Sequence, residues 1–106
     1  MKSLIATASG LLLVTFAQSA LADAIDGDWC REGKHFRIEG PSITTEGGNS
    51  IAGNYDRHGF SYIVPDSEPG AGGQVNMLLM GEELLTLTRP SAPGAPETWK
   101  RCEVVS

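Results

Sequence analysis

The sequence predicts an all-β domain: a small antiparallel meander barrel or twisted sandwich of about seven or eight short strands, with one disulfide joining the first strand to the last. Three observations carry that reading. Glycine and proline break residues 23–106 at intervals too short for most helices. Between the breaks, apolar and polar residues alternate with the two-residue period of a half-buried strand. Cys30 and Cys102 stand near the two ends of that region, as expected of a small exported domain stapled by one bond.

Export is read from residues 1–22. Lys2 is followed by an apolar run over residues 4–17 that includes Leu11, Leu12, Leu13, Val14 and Phe16, and then by Ala20-Leu21-Ala22. This is the pattern of a secretory signal with cleavage expected after Ala22, leaving residues 23–106 as one domain in the periplasm or outside the cell. The run is too short to span a bilayer, and no later run approaches the required length, so no membrane span is expected. The chain has 106 residues, 13 acidic against 8 basic, and a formal net charge of −5. Removing the signal takes away Lys2 and no acid. The remaining basic residues are scattered among carboxylates, so nucleic acid is excluded as a partner.

In chain order, residues 29–31 and 34–39 flank Glu32-Gly33, a two-residue hairpin turn. Gly40-Pro41 breaks the chain before a β-branched run at 43–45. Residues 46–49 then turn into a strand over 50–56, with Ile51, Gly53 and Tyr55 on one face. Arg57-His58-Gly59 turns into residues 60–64, where Phe60, Tyr62 and Val64 share a face. Residues 66–73 read as an irregular loop. Residues 75–80 and 84–89 fit a hairpin about Gly81-Glu82-Glu83, pairing Leu79 with Leu85 and Met77 with Leu87. Met77, Met80, Leu84 and Leu87 also fit one helix face; Gly81, Thr86 and Thr88 favour strands. Residues 90–96 read as a proline-rich linker, and residues 98–105 as the last strand. Trp29 and Cys30 face opposite ways on a strand, as do Trp99 and Cys102. Tryptophans inside therefore place both sulfurs outside, where the barrel closes.

No residue cluster spells out a reaction. His35 and His58 have no companions at zinc-ligand spacing and are expected on the surface. Asp26, Asp28 and Glu32 lack the remaining positions of a calcium loop. Ser61 and Ser67 sit in no nucleophile elbow, and Glu82-Glu83 would diverge on a strand. The glycine-rich stretch at 70–73 lacks the lysine of a phosphate cradle. No cofactor, metal or catalytic residue is therefore expected. Two features suit binding instead. Leu78, Met80 and Leu84 fall on the outer face of the most apolar hairpin, with Ile63 a candidate neighbour, where they would meet a partner or a second sheet. The loop at 66–73 begins with Asp66, Ser67 and Glu68, and long loops in compact domains often carry function.

Gly27-x-Trp29, Ile51-x-Gly53-x-Tyr55 and Trp99-x-x-Cys102, together with the signal, resemble small bacterial periplasmic β-barrels of the calycin-like kind. These include inhibitors of lysozymes and metalloproteases, so the resemblance implies a small barrel and a hydrolase as partner. The chain lacks the serine- and glycine-rich motif that precedes the tyrosine in the lysozyme inhibitors, so no inhibitory residue carries over. The expected function is an exported, non-enzymatic protein that binds a protein partner in the cell envelope through Asp66, Ser67, Glu68, Leu78, Met80 and Leu84. The competing readings are a carrier holding a small apolar ligand inside the barrel and a structural envelope protein.

Overall fold

The computed structural model describes residues 24–103, so the expected signal at 1–22 lies outside the described residues. Within them, nine strands form one antiparallel sheet: β1 (Gly27–Arg31), β2 (Lys34–Glu39), β3 (Ser42–Thr44), β4 (Ser50–Ala52), β5 (Asn54–Asp56), β6 (Gly59–Ile63), β7 (Gln74–Leu79), β8 (Leu84–Arg89) and β9 (Ala92–Arg101). Their order across the sheet is β4-β3-β2-β1-β9-β8-β7-β6-β5. The two edge strands, β4 and β5, are consecutive in the chain and separated only by Gly53. The sheet's edges therefore meet at that residue, and the sheet is a nearly closed barrel.

Gly53 makes the closure possible. Its N–H donates to the Pro41 carbonyl on the β3 side at 2.8 Å. Toward β6, a Cβ at this position would lie 2.4 Å from the Ser61 carbonyl oxygen and 2.6 Å from the Phe60 ring. Only glycine lets the chain pass from one edge to the other at this separation. The strand expected over residues 50–56 is thus two strands with different neighbours. Between β4 and β6, above Gly53, the wall leaves a groove of about 690 Å³.

The first turn forms as expected, with φ of 50° at Glu32 and 82° at Gly33, the left-handed pair that a two-residue hairpin turn requires. The stretch at 75–89 is a hairpin and not a helix: Leu79 pairs with Leu85 and Met77 with Leu87. The linker expected at 90–96 is corrected. Pro90-Ser91 forms a tight turn, and β9 already starts at Ala92. Prolines are tolerated there for two reasons. The β8–β9 register slips between Leu87 and Arg89, and β9 meets β1 only at Lys100 and Arg101, so its first half is a free edge.

Inward-facing side chains fill the barrel. Trp29, Trp99, Ile38, Leu85, Leu87 and Val75 have no exposed surface. The Phe36 and Trp99 rings lie 4.7 Å apart between centroids, and Trp29 donates its Nε1–H to the Ile25 carbonyl at 2.9 Å. Arg101 shares the inward parity of Trp99. Its guanidinium lies 4.3 Å from the Trp29 ring centre and donates to the carbonyls of Asp26, Ala24 and Glu82. With Ile25 fully buried, this closes the lower end of the barrel, where residues 24–26 lead into β1. The Cys30–Cys102 disulfide, with Cα atoms 5.0 Å apart, ties β1 to the residue that follows β9. Both tryptophans are inside and both half-buried cysteines lie on the other face, as strand parity requires.

Candidate functional site

Two surfaces qualify, at opposite ends of the barrel. The first is the outer face of the β7–β8 hairpin near the lower end. Leu78 is 54%, Met80 51% and Leu84 37% exposed. The Met80 N–H donates to the Leu84 carbonyl at 2.8 Å, which sets these residues across from each other, with Leu78 two residues back on the same face. Lys100 stands opposite Leu84 on β9. Three large apolar side chains on a rigid hairpin make a compact patch that the fold itself leaves uncovered. Ile63 does not join it. It pairs with Gln74, at the other end of β7.

The loop at 66–73 also lies at that upper end, about 17 Å along β7 from the patch at the usual rise of an antiparallel strand. It is latched to the β3–β4 connection. Glu68 accepts hydrogen bonds from the Thr45 hydroxyl at 2.5 Å and from Asn49 Nδ2 at 2.7 Å, and the Ser67 hydroxyl accepts from Asn49 Nδ2 at 3.1 Å. Ser67 and Glu68 thus hold the loop in place. Asp66 is exposed and lines the groove between β4 and β6.

The second surface is the mouth at this upper end, a cavity of about 540 Å³. Arg89 and Glu97 continue the inward parities of Leu87 and Trp99 and meet beside the cavity. Arg89 donates to Glu97 at 2.7 and 3.1 Å and to Glu46 at 2.6 Å, while Trp99 Nε1 donates to Glu97 at 3.1 Å. Arg89 is held firmly in its charged form by its bonds to Glu97 and Glu46. The same bond from Arg89, aided by Trp99 and Arg31, holds the Glu97 carboxyl below the usual carboxylate range. Burial, with the Glu46 and Glu68 carboxylates nearby, pushes the Tyr62 phenol up to about 12. The sequence places Tyr62 on one face with Phe60 and Val64 and, of the charged residues here, singles out Glu68 alone, as part of the loop at 66–73. The available signal was parity: a charged residue that continues an inward series at a strand end lies at a barrel mouth.

On the outer wall, His35 Nε2 lies 2.8 Å from Asp28 Oδ1, Arg37 donates to the same Asp28 carboxylate at 2.6 Å, and His58 is exposed in the β5–β6 turn. Among the described residues, no three metal-ligating groups converge, and no helix is long and apolar enough to cross a membrane. The architecture is that of a disulfide-tied antiparallel barrel with a packed interior. No family model matches the chain, and no curated protein or solved structure is significantly similar to it.

The Glu97 bond predicts a pH dependence. Its carboxyl titrates lower in the folded than in the unfolded chain, so its contribution is full above the ordinary glutamate range and is lost as pH falls through the folded value. Denaturation in urea is expected to show stability falling as pH drops from 6 to 3, with this group contributing to the decline. Glu97→Gln should be less stable than the wild type at pH 6 and should lack that part of the decline. An unchanged pH profile in the variant would contradict the assignment.

Proposed function

We propose that this protein is an exported binding module that engages a protein partner in the cell envelope, a hydrolase in class, through the Leu78, Met80 and Leu84 face. The observation that carries this reading is the exposure of three large apolar side chains together on one hairpin, on a domain whose inner face is already filled. An amphipathic hairpin that buries Val75, Met77, Leu85 and Leu87 inward has no internal need for leucine and methionine outward. The disulfide and the features of residues 1–22 support an oxidising, extracytoplasmic compartment. The hydrolase class rests on the resemblance to the calycin-like inhibitors. The carrier reading is disfavoured because the two tryptophans, Phe36 and the aliphatic side chains occupy the space that an apolar ligand would need.

The test is affinity purification from envelope extract, identification of the captured protein, and titration of that protein with the wild type and with Leu84→Asp. Leu84→Asp is expected to weaken binding by roughly thirtyfold or more, the loss typical of a central apolar anchor. Leu78→Ser, at a more exposed position, should weaken it without altering the melting curve. Equal affinity of both variants and the wild type would refute the assigned surface.

A further inference from the structure

We propose that the upper mouth of the barrel is a binding site for a small uncharged polyhydroxylated molecule, a saccharide in class, recognised through the Tyr62 hydroxyl. This site is separate from the apolar patch, which lies at the opposite end of β7. Tyr62 is only 5% exposed, and its hydroxyl makes no hydrogen bond with any described residue. Buried hydroxyls are nearly always paired, because an unpaired one forfeits its hydration without compensation. Tyr62 lies at the charged mouth, in the same lining as Glu46, Glu68 and Arg89. The groups that act on it electrostatically are Glu46, Glu68, Arg89 and Glu97, and the ring lines the cavity of about 540 Å³, a size within the range of small-molecule sites.

The lining sets the class of ligand. Lys34 and Arg89 bring two positive charges to the lining, and Glu46 and Glu68 two negative ones; Glu97 beside Arg89 is offset by Arg31, 3.8 Å away, so the mouth favours neither an anion nor a cation. It offers donors and acceptors close together: the free Tyr62 hydroxyl, the Lys34 ammonium, the Ser91 hydroxyl, and the carboxylate oxygens of Glu46 and Glu68 that their internal bonds leave open. Val64, Val75 and Pro90 supply an apolar wall beside them. A ring with hydroxyls on its rim and C–H groups on its face matches such a lining. A purely apolar ligand would strand these polar groups.

The test is an NMR titration of the disulfide-intact protein with N-acetylglucosamine and maltose, and with glucuronate and glucosamine as charged comparators. Saturable shifts centred on the amides of Gly47, Val64, Gly70 and Arg89 are expected with the neutral sugars, and weaker ones with the charged sugars. Tyr62→Phe should weaken the neutral sugars about five- to tenfold, the cost of one hydrogen bond. The same substitution should leave the melting temperature at or above that of the wild type, because it removes a hydroxyl with no internal partner. Three results would overturn the proposal: no saturable shift with either neutral sugar, undiminished binding to Tyr62→Phe, or tighter binding of a charged comparator.

Discussion

Replacing Cys30 and Cys102 together with serine is expected to destabilise the protein by about 4 kcal/mol. The two cysteines are 72 residues apart in sequence, so the bond spans almost the whole barrel. Removing it releases the unfolded chain from a long closed loop while leaving the folded sheet nearly untouched. The loss falls on a domain too small to bury a large core, and net stabilities are commonly only about 5–15 kcal/mol. The geometry lets most of this loop entropy be realised as stability. β1 and β9 are already adjacent through Trp29 with Arg101 and Cys30 with Lys100, so the disulfide does not have to hold the strands in a position they would not otherwise take. Urea denaturation of the wild type and the double variant measures the difference. A loss below about 1 kcal/mol would mean that the unfolded chain is already compact enough to make the bond redundant.

Trp99→Ala is expected to cost about 3–5 kcal/mol, as for other large aromatic side chains removed from a core. Trp99 has no exposed surface, packs its ring against Phe36 at 4.7 Å and sits on β9 opposite Leu85. Its neighbours come from strands on both sides, so no single segment can collapse into the space. The substitution also removes the Nε1 donor to Glu97, leaving that carboxylate to Arg89. Trp99→Phe keeps most of the volume and loses only the indole donor and part of the packing, so it should cost markedly less. Thermal and urea melts of the two variants separate these contributions. Equal losses would show that the hydrogen bond, and not the volume, is what Trp99 provides.

Much of this architecture is legible along the chain because it depends on neighbours. Glu32-Gly33 announces a turn by its own backbone preference. The hairpin at 75–89 outcompetes a helix because Gly81 and the threonines penalise helix locally while a three-residue loop brings matching apolar faces together. Residues 50–56 and 90–96 are not legible in this way, for one shared reason. Alternation and proline content say nothing about which strand lies alongside, and it is the partner that divides the first segment at Gly53 and admits prolines into the edge of the second.

The candidate sites divide in the same way. Leu78, Met80 and Leu84 follow from parity on an apolar hairpin and are exposed as expected. Joining them with Asp66, Ser67 and Glu68 in one binding surface required knowing which end of β7 each group occupies, and the two lie at opposite ends. Glu46, Tyr62, Arg89 and Glu97 come from separate parts of the chain and converge only when β6, β8, β9 and the β3–β4 connection reach the same rim.

The sequence by itself determined that this is a β domain, where most of its turns fall, that Trp29 and Trp99 face inward, and that Cys30 and Cys102 lie on the opposite face. Those outcomes rest on backbone preference and a two-residue period, which act over a few residues. The tertiary structure alone decided that the sheet closes on itself at Gly53, that Arg101 seals one end, and that an unpaired Tyr62 hydroxyl stands among matched charges at the other. Those outcomes rest on closing the barrel, which brings together groups that no local rule relates.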